Sequence, residues 1–285
     1  LGGPNRTTTV TGPLGEPVDA EWRLAGDTAV VEMARASGLA LVGGAEANDP
    51  IGASTVGTGE LLATAVDAGA KRLLVGLGGS ATTDGGLGAL RSLYPLHRLA
   101  GVEIVALCDV RTPFVDAAEL FAAQKGASPA QVELLRRRLD RLADVYLADH
   151  GVDVRAIAGA GAAGGLAGGL AVAGATLMSG FEAVADELGL HDLIEGADLV
   201  VTAEGFLDEQ SFEGKVVGGV VEMAAAAGVP CVAVVGEVVA DLGSDVGDLR
   251  LVSLVERFGD DRARGDTVAC IEAVAAGVLA GRPEE

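Results

Sequence analysis

The run Gly76-Leu77-Gly78-Gly79-Ser80-Ala81-Thr82-Thr83-Asp84-Gly85-Gly86 follows a stretch of buried-strand character. Glycines let backbone N–H groups approach an anion, and the hydroxyls of Ser80, Thr82 and Thr83 add donors, so this run suits a phosphate or carboxylate cradle. Its opening also fits GxGxxA, a loose dinucleotide fingerprint. The acidic residue that such a fingerprint needs about 20 positions on is not well placed, since Asp109 lies well beyond that distance. A turn that merely requires glycine is the plainer alternative, although Asp84 and the hydroxyls exceed what a turn needs.

Three further segments carry candidate chemistry. Gly159-Ala160-Gly161-Ala162-Ala163-Gly164-Gly165 is a literal GxGxxG in a chain where Gly and Ala are abundant. Close helix packing therefore competes with a second anion-binding loop built on Gly161 and Gly164. Cys108-Asp109-Val110-Arg111-Thr112-Pro113 puts a carboxylate at the carboxyl end of a predicted strand. Ligands of open α/β sheets gather at that edge, which makes Asp109 a candidate metal ligand or base, against the alternative of a turn-initiating Asp. Downstream, Lys125 stands just before Ser128 and Pro129, a natural helix N-cap and first helical residue. The segment from Thr202 to Lys215 gathers Glu204, Asp208, Glu209, Gln210, Ser211 and Lys215 between a strand and a helix. That mixture suits phosphoryl transfer, which needs metal ligands, a cation for the migrating charge and a group to orient the attacking hydroxyl. A solvated acidic loop is the competing explanation. Gly214-Lys215 is no Walker A element, because Glu209 stands where that motif requires glycine.

The elements that must position these groups are those of an α/β chain. Of 285 residues, 49% are hydrophobic and only 3% aromatic, so the core is built from Ala, Val and Leu. Strand-like runs at 71–77, 102–108, 198–202 and 230–236 alternate with helical stretches at 59–68, 130–149, 180–188, 216–228 and 266–280. Residues 8–22 read instead as an antiparallel hairpin around a Gly- and Pro-rich turn. A net charge of −21 opposes nucleic acid and anionic membranes, and the basic run Arg136-Arg137-Arg138 reads as a solvated helix face. Cys108, Cys231 and Cys270 are too far apart for a zinc site or a disulfide framework, and no signal peptide or membrane span is legible. A cytoplasmic protein is the expectation.

Taken in order, these segments resemble the bacterial-type (type I) glycerate kinase family. Residues 78–86 are similar to its Gly-Gly-Ser-Ala-Thr-Asn-Asp-Gly-Gly signature with Thr83 in place of Asn. Residues 108–110 resemble its Cys-Asp-Val element, 124–127 its Gln-Lys-Gly-Ala, 159–165 its Gly-Ala-Gly-Ala-Ala-Gly-Gly, and 198–215 its block ending Gln-Ser-x-x-Gly-Lys. Ala203 and Phe206 depart from the family's Gly and Arg, and the family's opening Ala-Pro-Asp-Ser-Phe-Lys-Gly strand does not occur here. The resemblance implies two domains, a flavodoxin-like three-layer domain and an inserted second α/β domain. Residues 1–187 would be mostly the insert, with the flavodoxin-like N-terminal strand missing, and 188–285 the C-terminal part of the flavodoxin-like domain.

The implied activity is ATP-dependent phosphorylation of D-glycerate with Mg2+, in a cleft between the domains. Asp109, Lys215, Asp208 and Glu204 are the implied catalytic set, with Asp109 and Asp208 as metal ligands. Gly78, Gly79, Ser80, Thr82, Thr83, Asp84, Lys125, Gly161 and Gly164 would bind substrate or phosphate. ATP and D-glycerate are the implied partners, and a homodimer is left open. Two rival readings stand beside this one, an NAD(P)-dependent oxidoreductase resting on the two glycine fingerprints and a non-catalytic metabolite-binding member of the family.

Overall fold

A computed structural model of the chain describes residues 2–208, 211, 216–238 and 249–280. The fold is mixed α/β and falls into two compact units, Leu1–Gly180 and Phe181–Glu285. The sequence reading divides the chain at 187/188, whereas the compact units divide at 180/181, so that the helix Gly180–Leu188 goes with the second unit from Phe181 on. The reason is Phe181, whose ring lies so close over Gly219 that a Cβ there would strike it.

The first unit is built on a six-stranded sheet in the order β1-β2-β3-β4-β5-β6. Its strands are β1 (Asn5–Thr11), β2 (Pro17–Ala25), β3 (Thr28–Glu32), β4 (Arg72–Gly76), β5 (Glu103–Leu107) and β6 (Thr176–Met178). The first three run antiparallel, with Val10 opposite Val18, and β3 to β6 run parallel. Leu73, Leu74 and Val75 of β4 are all buried, as a central parallel strand covered on both faces requires. The helix Val56–Asp67 crosses over from β3 to β4 and buries Leu61, Leu62 and Ala65 against Met33, Leu73 and Trp22. A second core, around Phe114, Leu135, Leu139 and Tyr146, lies under the helix Pro129–His150. That helix opens on Ser128, whose backbone N–H donates to Gln131 Oε1 at 2.8 Å, and closes on Gly151 at φ 72°. On its exposed face Arg136 and Arg137 pair with Glu133.

The second unit carries a parallel sheet of β7 (Val200–Leu207), β8 (Cys231–Val238) and β9 (Arg250–Ser253), in that order. Val232, Val234, Val252, Cys270 and Val274 form its core. Sequence reasoning ends the first of these strands at Thr202, because Glu204-Gly205 resembles a turn. Pairing with β8 carries it on to Leu207, with Phe206 opposite Glu237 and Leu207 opposite Val238. Tertiary hydrogen bonding here overrides the low strand propensity of Glu and Gly.

Within the first unit two glycine-rich segments meet backbone to backbone. Gly85 N–H donates to Gly164 O at 3.0 Å, and a Cβ on Gly86 would stand 2.9 Å from Gly169 Cα. Ala163, Gly164 and Gly165 open the helix Ala162–Val172 with left-handed φ values of 53°, 69° and 90°. At Gly164 an added Cβ would collide with the Thr82 carbonyl oxygen. Gly164→Ala therefore combines a disfavoured φ with a rigid backbone clash, and should lower the unfolding free energy by about 2–4 kcal/mol. Urea denaturation measures it, and a loss below about 0.5 kcal/mol, the scale of an ordinary surface change, would mean that the segments separate freely.

Candidate active site

Glu32, Gly76, Leu107 and Met178 bring the carboxyl ends of β3 to β6 to one edge of the sheet. Loops leaving that edge enclose a cavity of about 460 Å³, whose lining includes Gly78, Gly79, Ser80, Cys108, Asp109 and Lys125. A parallel sheet collects ligands at this edge because its loops converge there while the strands hold them rigid.

The loop after β4 is held from several sides. Met33 N–H donates to Gly76 O at 3.0 Å, Leu39 N–H to Gly79 O at 2.8 Å and Ala81 N–H to Ser37 O at 3.0 Å. Gly79 turns the chain at φ 69°, a conformation that favours glycine, while Gly78 remains exposed on the cavity side. Farther on, the Asp84 carboxylate accepts from Thr55 N at 2.8 Å, Thr55 Oγ1 at 2.9 Å, Ser54 Oγ at 3.2 Å, Gly86 N at 3.0 Å and Gly88 N at 3.2 Å. Its charge thus fixes the loop to the start of the helix Leu87–Ser92, and Asp84 does not line the cavity.

Lys125 is the cation of this site and is only 4% exposed. Its Nζ donates to Ser80 Oγ and to the Thr82 carbonyl oxygen, both at 2.7 Å. Burial pushes its pKa down from 10.5 to about 8, against the opposing pull of the Asp84 charge. An ammonium has three N–H donors, and two are committed to uncharged oxygens. The remaining donor and the unneutralised charge make an anion the natural third partner.

Asn48, which sequence reasoning does not single out, clamps this arrangement. Its Nδ2 donates to Ala81 O at 3.0 Å and to Lys125 O at 2.8 Å, tying the loop to the lysine's backbone. Nothing local in the sequence marks it, because both bonds are long-range. Thr82 and Thr83 do not line the cavity; Thr82 accepts from Lys125 Nζ through its carbonyl oxygen, and the hydroxyls of both are buried without partners among the described residues. Gly161 and Gly164 lie outside the cavity lining. Gly161 N–H donates to Thr112 O at 3.0 Å, Gly164 packs on Thr82, and it is Ala162 and Ala163 that reach the cavity wall. The segment Gly159–Gly165 follows a short 3-10 turn, Val154–Ala156, not the strand that a dinucleotide fingerprint needs.

Asp109 stands exposed one residue beyond the partly buried Cys108, after β5, and its Oδ1 accepts from Gly180 N at 2.8 Å. Its Oδ2 has no hydrogen-bond partner among the described residues. Burial and the Asp109 charge both push the Cys108 thiol up, which keeps it protonated and unreactive. In the second unit Glu204 lies within β7, with Oε1 buried and unpartnered among the described residues. Asp208 follows the strand and binds Ser211 through Oδ1, accepting its N–H at 3.0 Å. Lys215 lies outside the described residues, as do Glu209 and Gln210. Among the described residues no group of three or more His, Cys, Asp or Glu side chains forms a metal site, and no helix is long and apolar enough to cross a membrane.

Comparison with known proteins agrees with this architecture. The chain is 40% identical over 275 residues to glycerate 2-kinase of Escherichia coli K12, covering 85% of this chain and 72% of that protein. It is 38% identical over 270 residues to glycerate kinase of Halalkalibacterium halodurans, covering 83% of this chain and 71% of the relative. A crystal structure from Salmonella typhimurium LT2, assigned as glycerate kinase 2, superposes with a TM-score of 0.79 at 35% identity, over 98% of this chain and 83% of that one. The sequence profile of the glycerate kinase family matches residues 1–94 and 95–278, and this chain belongs to that family.

Proposed function

We propose that the chain is a glycerate kinase that transfers the γ-phosphoryl group of ATP to a hydroxyl of D-glycerate, with Mg2+ as its metal cofactor, in the cytoplasm. The observation that carries this reading is the buried Lys125 ammonium, held among the described residues by neutral oxygens, in a cavity at the carboxyl edge of a parallel sheet. Such a group recognises a carboxylate or a phosphoryl oxygen, and the exposed Gly78 and Gly79 let a ligand approach the backbone closely. The free cysteines fit a reducing compartment.

Asp208 keeps one carboxylate oxygen without a hydrogen bond among the described residues, and a hard oxygen donor of this kind suits Mg2+, which takes one or two carboxylates beside substrate phosphates. When bound, the metal would neutralise charge on the phosphoryl oxygens. Lys125 would orient the anionic end of the substrate. Asp109, steadied by Gly180 N–H, would take the hydroxyl proton as the substrate oxygen bonds to the γ-phosphorus and the bond to the ADP oxygen breaks. Glu204 supports Asp208 in this scheme, and Lys215 supplies a second phosphate cation.

A coupled assay of ADP release should show turnover with D-glycerate and ATP that stops on chelation of divalent metal. Turnover with another hydroxy acid but none with glycerate would overturn the substrate assignment. Asp109→Asn should lower kcat by at least about 10²-fold, the low end for losing a general base, and leave the melting temperature nearly unchanged. A large loss of stability with normal activity per folded molecule would instead make Asp109 a turn-forming residue.

The lysine adds a pH dependence. In the free protein Lys125 loses its proton near pH 8, so kcat/KM for glycerate should fall as pH rises through that value. Lys125→Met should lower kcat/KM by about 10² or more and flatten the profile. The unfolded chain keeps this proton to about pH 10.5, so folding stability should rise with pH between about 8 and 10.5. A kcat/KM that stays level from pH 7 to about pH 9.5 would remove the Lys125 charge from substrate recognition.

A further inference from the structure

A second cavity, of about 430 Å³, lies farther along the loop that carries Ser80 and Thr82, at Thr83 and Asp84. Thr83, Asp84 and Leu87 form one wall, and Arg138, Leu139, Arg141, Leu142 and Val145 of the long helix form the other. Its interior is aliphatic, and both guanidinium groups stand at exposed positions beside it. In a chain of net charge −21 several such groups find carboxylates, as Arg35 does with Glu32, Arg98 with Asp67 and Arg155 with Asp140 and Asp144. Arg141 has no hydrogen-bond or carboxylate partner among the described residues, and Arg138 binds only the Ile51 carbonyl oxygen, at 3.2 Å.

The one carboxylate in the wall, Asp84, does not pair with them. Its oxygens are taken by Thr55, Ser54 and the N–H groups of Gly86 and Gly88. An aliphatic pocket beside two guanidinium groups that pair with no carboxylate among the described residues is matched to a ligand with an apolar body and one anionic head. We propose that this cavity binds a small amphipathic carboxylate, with an aliphatic body of about six to eight carbons to suit a pocket of this size. Its carboxylate would sit between Arg138 and Arg141. The site is independent of the proposed phosphoryl transfer, and none of its residues lines the Lys125 cavity.

Isothermal titration with octanoate tests this on the full chain. Saturable one-to-one binding with a dissociation constant below about 1 mM is expected. The double variant Arg138→Gln/Arg141→Gln should bind at least about tenfold more weakly with an unchanged melting temperature, and octan-1-ol should bind the parent at least about tenfold more weakly than octanoate. Lys125→Met should bind octanoate as the parent does. Absence of saturable binding up to about 10 mM, equal binding by the double variant, or equal binding of octan-1-ol would each overturn the proposal. Loss of binding in Lys125→Met would also overturn it, since it would place the octanoate in the other cavity. None of these readings depends on turnover.

Discussion

The hydrogen bonds accepted by the Asp84 carboxylate are the constraint on which the first unit turns. Donors reach it from the segment before the helix Val56–Asp67 and from the backbone that starts the helix Leu87–Ser92. Bonds to an ionised acceptor contribute about 1.5–3 kcal/mol each, and a carboxylate at a helix start also meets the positive end of the helix dipole. Asp84 therefore joins elements far apart in sequence and ends the loop after β4 at a fixed point. The loop has no room to relax at its other end, because Gly76 and Gly79 are bonded to Met33 and Leu39.

Only a loop so fixed can hold a buried ammonium. Taking a lysine out of water disfavours its charged form, and here that cost shows as a pKa near 8. The Ser80 hydroxyl and the Thr82 carbonyl, each 2.7 Å from Nζ, offset part of the cost by dipoles alone. The Asp84 charge acts in the same direction at longer range. A carboxylate placed directly on Nζ would stabilise the lysine better, but it would also occupy the position that an anionic substrate needs. Neutral partners leave a positive site inside a strongly negative protein, and the enclosure of that site limits screening by salt.

The sequence made the alternation of strands and helices legible where hydrophobic period and turn residues agree. The helix starting at Pro129, with Ser128 as its cap, is such a case, and so are β4 and β5. Strands β6 and β9 escape that reading because they are short, and β6 is the three residues Thr176–Met178 held by pairing with β5; β3, as long as β4, escapes it as well. Gly78, Gly79, Ser80, Asp109 and Lys125 are legible as candidate site residues because residue type and strand-end placement point the same way, and in the structure all of them line one cavity. Asn48 is not, since its role exists only once residues distant in sequence are brought together. Asp84 is legible as important but not in its role, because a carboxylate beside glycines reads equally as a ligand or as an anchor.

The two glycine-rich motifs show how one pattern serves two physical purposes. In the first, Gly78 and Gly79 stand at the cavity, where missing side chains leave space for a ligand. In the second, Gly164, Gly165 and Gly169 face the backbone of residues 82–86, where missing side chains let two chain segments touch. The contact holds Ala163 at a left-handed φ of 53°, a strain of roughly 1–3 kcal/mol that persists only because the neighbouring glycines are locked. Tyr146 closes the same contact by donating its hydroxyl to Gly85 O at 3.0 Å from the long helix. The back of the loop after β4 is thus set by close backbone packing and its front by Lys125, so a change at either glycine segment reaches the lysine through Thr82, whose carbonyl oxygen binds Nζ and would meet any side chain added at Gly164.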